Sequence, residues 1–195
     1  MEQEPQVGIL AIQGDVEAHR AALERAGGHA RRVLREKDLD GVDALIIPGG
    51  ESTTISKGME RLRLYEPIQA FAASGKPVLG TCAGAILLAR RSEQHPVRTL
   101  GLVDVVARRN AYGTQVDSFA AEADADASPG LAGIRCVFIR APQLRSPGPG
   151  VEVLVRVDGA PVLVREGAVL ACTFHPELGS DCRVHQLLLD AIRGR

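Results

Sequence analysis

The chain has 195 residues, of which 45% are hydrophobic and 24% charged, the balance of a globular protein long enough to bury its own core. Lys and Arg number 23 against 24 Asp and Glu, giving a net charge of -1, and aromatic residues make up 3% with no Trp. A nucleic-acid binder would show a basic surplus or stacking platforms, a membrane span an apolar run of ~18 residues, and a secretory signal a basic start; Met1-Glu2-Gln3-Glu4-Pro5 and the rest of the chain offer none of these.

In chain order, the first half alternates short apolar runs with amphipathic ones. Gln6–Gln13 reads as a buried strand, Val16–Ala26 as a helix stopped by Gly27-Gly28, and Ala30–Leu34 as a second strand. Asp43–Ile47 is a third apolar run, ended by Pro48-Gly49-Gly50. Glu60–Ser74 is helix-like, Pro77–Gly80 strand-like and Ala83–Ser92 helix-like again. Strands alternating with helices predict βαβ units in a parallel sheet covered on both faces. The second half is extended: Leu102–Arg109, Gln115–Ala121, Cys136–Ala141, Val151–Asp158, Pro161–Arg165 and Val169–Phe174. Asp158-Gly159 and Gly167-Ala168 supply hairpin turn chemistry between the last three. A helix over Asp181–Ile192 closes the chain, with His185 on it as a surface or packing residue. The expected fold is α/β: a doubly wound, mostly parallel, flavodoxin-like sheet flanked by helices, with an antiparallel β extension, in a single domain over residues 1–195.

Ligands of open α/β sheets bind at the carboxyl ends of the strands. Three groups of residues follow strands here. Gly80-Thr81-Cys82-Ala83-Gly84 is the cysteine counterpart of the G-x-S-x-G nucleophile elbow, and the helix starting beneath Cys82 favours a thiolate. Read structurally, Cys82 is a buried core cysteine beside a tight turn. In Thr173-Phe174-His175-Pro176-Glu177, extended backbone places His175 and Glu177 on one side, a base with its orienting carboxylate. The plainer reading is an idle strand-end turn. Pro48-Gly49-Gly50-Glu51-Ser52-Thr53-Thr54 offers a backbone N–H which, with that of Ala83, suits an oxyanion hole; it equally suits a turn into a helix capped by Ser52 or Thr53. Together the three fill the roles of nucleophile, base, orienter and oxyanion donor, and the implied chemistry is acyl transfer to water through a thioester. The remaining cysteines, Cys136, Cys172 and Cys182, form no C-x-x-C pair, so reduced thiols in the cytoplasm are expected and no metal site is.

At these motifs the sequence resembles the triad class, or class I, of glutamine amidotransferases, and within it the glutaminase subunits of pyridoxal 5'-phosphate synthases. The resemblance runs through Gly8–Asp15, Leu45–Thr54, Gly80–Ala85, Arg109–Gln115, Phe138–Pro142 and Phe174–Arg183, nearly end to end. It implies hydrolysis of L-glutamine to glutamate and ammonia. Cys82 would be the nucleophile, His175 the base and Glu177 its orienter. Gly50 and Ala83 would form the oxyanion hole, and Gly50, Glu51, Ser52, Arg109, Ile139 and Arg140 would bind glutamine. An α-carboxylate suits an arginine partner; without the family, both arginines read as solvated or paired surface charges. The resemblance further implies a (β/α)8-barrel synthase subunit that takes up the ammonia for vitamin B6 synthesis, an assembly of twelve glutaminases with twelve synthases, and no cofactor or metal in the glutaminase. On this reading the chain is half of an enzyme. Gln13-Gly14-Asp15, after the first strand, is expected near the partner surface. Two other readings compete: the glutaminase of a different synthase, such as the imidazole glycerol phosphate system, and a non-catalytic α/β sensor or chaperone with a cysteine elbow.

Overall fold

The computed structural model describes residues 4–94, 96–109, 118–124 and 126–194. Among them, seven strands form the central sheet. β1 (Gln6–Leu10), β2 (His29–Val33), β3 (Ala44–Ile47), β4 (Val78–Thr81) and β12 (Val169–Cys172) run parallel in the order β2-β1-β3-β4-β12. β11 (Ala160–Glu166) and β10 (Glu152–Val157) extend the sheet antiparallel from β12. The α/β expectation holds, with an extension built by two tight hairpins. Asp158 and Gly159 both have positive φ, 49° and 74°, the backbone of a type I′ turn whose twist matches that of the strands it joins.

Both faces of the sheet are covered. Helices α2 (Ser52–Arg61), α3 (Tyr65–Ala73) and α4 (Ala83–Leu88) bury Ile55, Met59, Ile68, Phe71 and Leu87 on one face. On the other, α1 (Val16–Ala26) and α5 (Arg183–Arg193) bury Val16, Leu23, Val184, Leu188 and Leu189. The helix expected over Glu60–Ser74 is two helices. Pro67 lies in the first turn of α3, where its missing N–H leaves no bond unmade. A helix running on through it would lose a bond and meet the Arg63 carbonyl, and the chain instead turns at Arg63 with φ 55°.

The run Ala83–Ser92 also divides. The helix stops at Leu88, and β5 (Ala89–Glu93) pairs in parallel with β6 (Val103–Arg108). The carbonyls of Leu87 and Leu88 accept from the Leu100 and Leu102 N–H groups, so a neighbouring segment captures the helix end. β9 (Gln143–Arg145), which the sequence pattern does not announce, completes that small sheet against β6. A hairpin of β7 (Ser118–Glu122) and β8 (Arg135–Ile139) lies over the α1 and α5 face. The extended stretch expected from Gln115 enters the described residues only at 118, and Asn110 to Gln115 of the motif begun by Arg109 lie outside them. A stacked pair, Phe119 on Phe138 at 4.6 Å, and an edge contact of Phe138 with Phe174 at 5.9 Å tie the hairpin to the end of β12.

Candidate active site

The carboxyl ends of β1, β3, β4 and β12 carry the residues that the motifs single out. Cys82 follows β4 with φ 49° and ψ -103°, a conformation costly for a side chain with a Cβ and typical of a strained nucleophile turn. The elbow is possible because α4 lies hard against β3: a Cβ on Gly84 would run into the Ile47 carbonyl. The Cys82 N–H donates to the Cys172 carbonyl at 2.7 Å, so the Cys82 turn is fastened to the strand that leads to His175. Only 6% of Cys82 is exposed, and its Sγ lies 3.8 Å from the Ile139 carbonyl.

His175 and Glu177 do meet, by a different route from the alternation expected of a strand. β12 ends at Cys172, and Pro176–Leu178 is a single 3-10 turn with His175 as its N-cap. Pro176 at its first position fixes that turn. The His175 Nδ1–H donates to Glu177 Oε1 at 2.7 Å, which leaves Nε2 for the thiol. Burial alone would lower the His175 pKa. Hydrogen bonds with Cys82 and Glu177, and the charges of both, outweigh it and raise the imidazole to about 10. Burial likewise opposes ionisation of Glu177, whose side chain is 1% exposed, but the hydrogen bond and charge of His175 hold the carboxyl below the usual range. Gly49 makes room for this pair: a Cβ there would stand 2.6 Å from His175 Cε1 and 3.3 Å from Cys82 Cβ.

A cavity of about 330 Å³ opens above the thiol, and every residue expected at the glutamine site except Glu177 lines it: Cys82, Ala83, His175, Gly50, Glu51, Ser52, Arg109, Ile139 and Arg140. Glu51, rather than Ser52 or Thr53, is the N-cap of α2. Its carboxylate accepts from the N–H groups of Thr53 (3.1 Å) and Thr54 (2.7 Å) and from Arg109 (3.1 Å). Partial burial works against the charge, but the two amides and the threonine hydroxyls prevail, and Glu51 titrates at about 2. The buried Ser52 Oγ has no hydrogen-bond partner among the described residues. Arg109 is thus both a paired charge and a wall of the cavity, while Arg140, exposed at φ 44° beside exposed Ile139, is another. The other cysteines are apart from this chemistry. Burial pushes the Cys136 thiol up to about 12 and the Cys172 thiol well above its ordinary value.

Comparison with known proteins shows the family to which the chain belongs. The profile of the SNO glutamine amidotransferase family matches residues 9–193. The chain belongs to the SNO glutamine amidotransferase family. Its activity is therefore that of a glutaminase, as the motifs imply. The pyridoxal 5'-phosphate synthase subunit PdxT of Frankia casuarinae is 50% identical to this glutamine amidotransferase over 196 residues, covering 97% of this chain and 96% of that one. A crystal structure of a glutamine amidotransferase superposes with a TM-score of 0.90 at 44% identity, covering 96% of this chain and 98% of the other. PurLQS from Thermotoga maritima, at 18% identity and a TM-score of 0.69, shares the fold over 98% of this chain and 99% of that one.

Some residues of the site escape motif reading. Gln13, expected near a partner surface, lines the same cavity, and its Oε1 accepts from the Glu51 N–H at 3.0 Å. Asp15 of the same turn caps α1 by accepting from the Ala18 N–H. Behind the triad lie His19 and His185, both fully buried, so His185 is a packing residue and not a surface one. The spacing of Val16, His19 and Leu23 on α1 already places His19 on the buried face.

Proposed function

We propose that this glutaminase works through Cys82, His175 and Glu177, as a single domain over residues 1–195 whose ammonia passes to a separate synthase subunit. With the Cys82 proton already held on His175, the sulfur attacks the side-chain amide carbon of L-glutamine. The oxyanion that forms lies within the cavity walled by Gly50 and Ala83, whose N–H groups are its donors. As the amide carbon–nitrogen bond breaks, His175 returns the proton to the leaving nitrogen, and ammonia departs from a thioester. Water, deprotonated by His175, then attacks the thioester and releases glutamate with the thiol restored. Glu177 fixes the ring and balances the imidazolium. Glu51, Ser52, Arg109, Ile139 and Arg140 hold the glutamine, an arginine meeting its α-carboxylate.

One observation carries this reading. A cysteine on a positive-φ elbow and a histidine bonded to a buried glutamate come from different strand ends and face one cavity lined by both arginines. The ammonia serves pyridoxal 5'-phosphate synthesis, the role of the full-length relatives named as subunits of that synthase. The acceptor subunit is read as a (β/α)8 barrel in an assembly of twelve and twelve. The reaction belongs in the cytoplasm, where a nucleophilic thiol stays reduced; among the described residues no helix is long and apolar enough to cross a membrane. The test is glutamate release from glutamine with the synthase subunit present. Cys82→Ala should lower the rate by about 10⁴-fold or more, and a wild-type rate would remove Cys82 as nucleophile. A glutamine-analogue electrophile should label the wild-type thiol and spare the variant.

A further inference from the structure

Behind the carboxylate of Glu177 lies a polar chain inside an otherwise aliphatic layer. His19 of α1 and His185 of α5 are both 0% exposed. His19 Nδ1 and His185 Nε2 are 3.0 Å apart, and the two rings are inclined at 55°. The other nitrogen of His19, Nε2, lies 3.1 Å from Thr81 Oγ1 and 3.5 Å from Glu177 Oε2. Thr81 Oγ1 also accepts from the Gly49 N–H at 3.1 Å. Glu177 Oε2 and His185 Nδ1 have no hydrogen-bond partner of their own among the described residues.

We propose that His19 is a positioning residue for the Glu177 carboxylate, with its tautomer set by His185. This deepens the reading of Cys82, His175 and Glu177 as a triad and rests on it. The two rings share one proton site. If His185 carries its proton on Nε2, it donates to His19 Nδ1. The His19 proton is then on Nε2, aimed at Thr81 Oγ1 and Glu177 Oε2, and the atom left bare is an acceptor, His185 Nδ1. The opposite arrangement turns a His19 lone pair toward the carboxylate. It also buries an unpartnered N–H at His185, the costlier of the two orphans, at about 1–3 kcal/mol.

Burial lowers the pKa of both rings, His19 with partial opposition from Glu177, and His185 to about 3 with His19 adding to the shift. The charged or titratable groups that act on them are Glu177, His175 and Asp15 at His19, and His19, Glu177 and Arg25 at His185. An uncharged N–H orients the carboxylate without competing with His175 for its charge. A cation in its place would draw Glu177 away from the catalytic imidazole. Packing alone is the weaker account, because aliphatic side chains would join α1 to α5 without burying two imidazoles. Through Thr81 the same ring is coupled to Gly49, in the loop that carries the Gly50 oxyanion donor, so both sides of the site share one anchor.

The experiment compares His19→Leu, His19→Gln and Glu177→Gln in the complex with the synthase subunit. His19→Leu should lower kcat about 10- to 100-fold, the usual range for a lost supporting contact, with KM for glutamine within about 2-fold. Its acid limb of kcat/KM should move to higher pH, because Glu177 loses a donor and takes up a proton earlier. His19→Gln, whose amide can return an N–H to that place, should recover most of the rate. Wild-type kcat and pH profile in His19→Leu, or equal losses in the two His19 variants, would overturn the proposal. Full activity in Glu177→Gln would overturn the triad reading and this one with it. A slow Glu177→Gln beside a fully active His19→Leu would remove only His19. Nitrogen-15 NMR of histidine-labelled wild-type chain decides the matter if the leucine variant does not fold. Both rings should be Nε2–H tautomers from about pH 6 to 9, and an Nδ1–H tautomer or a titration of His19 in that range would refute the assignment.

Discussion

The floor and the rim of the cavity above Cys82 are built on opposite terms. On the floor, Cys82, His175 and Glu177 are largely withdrawn from water, and each is fixed by a strained turn, a short hydrogen bond or a packed helix. On the rim, Glu51 and Arg140 are exposed and Arg109 is held by an ion pair to Glu51. The floor must present one geometry to a developing charge, and low dielectric there strengthens every interaction that geometry makes. On the proposed function the rim releases a charge pair to admit a zwitterion and takes it back afterward. The pair is half-buried, with the Arg109 side chain 15% exposed and that of Glu51 47%.

The two regions should therefore fail differently. The largest effect is expected on the floor. Glu177→Gln keeps the shape but removes the charge opposite the imidazolium, and kcat should fall by about 10²- to 10⁴-fold, with KM little changed, in the same glutamate assay. Because Glu177 is one of the groups that hold His175 near 10, its alkaline limb in kcat/KM should also move to lower pH. His175 has a folded pKa of about 10 against an ordinary 6.5, so its contribution to stability is full below about 6.5 and is lost as pH rises through 10. Thermal unfolding at alkaline pH should show that loss, and a flat profile would break the contrast.

On the rim, Arg109→Ala should raise KM for glutamine about 10-fold with a smaller change in kcat, since it binds substrate and transition state alike. A collapse of kcat instead would move Arg109 into the catalytic machinery. The smallest effect is expected at Glu51. Its folded pKa of about 2 lies below the ordinary 4.5, so the stability it contributes is present above about 4.5 and lost as pH falls through 2. Glu51→Ala should cost about 0.5–2 kcal/mol as a lost helix cap and flatten the acid side of the stability curve, read by urea unfolding at several pH values.

The motif residues were legible because the chemistry needs them at strand ends. An apolar run followed by Gly-rich turn residues marks the carboxyl end of a buried strand, and a thiol, an imidazole or a backbone donor placed there points to one ridge of the sheet. The Asp158-Gly159 hairpin was legible for a similar reason, since few residue pairs tolerate two positive φ values in succession. The family resemblance added Arg109, Ile139 and Arg140 as expected glutamine contacts, where spacing alone leaves surface residues, and all three line the cavity. The break near Pro67 lay in the sequence too, though the apolar periodicity on either side of it suggests one helix.

What the sequence determined by itself was the inventory: strands ending in GTCAG, PGGES and FHPE, and an α/β order of elements. The tertiary structure decided which groups share a proton or a charge. His19 and His185 are 166 positions apart, and nothing local distinguishes either from a core-facing helix residue. Ala83–Leu88 stays helical only until Leu100 and Leu102 take its last carbonyls. Glu51 became a cap and an arginine partner because its carboxylate lies where α2 begins and β6 ends. Local preference sets what a segment can be, but burial and hydrogen-bond satisfaction are settled between segments. The groups whose properties depend on a distant partner were therefore the ones that only the folded chain could assign.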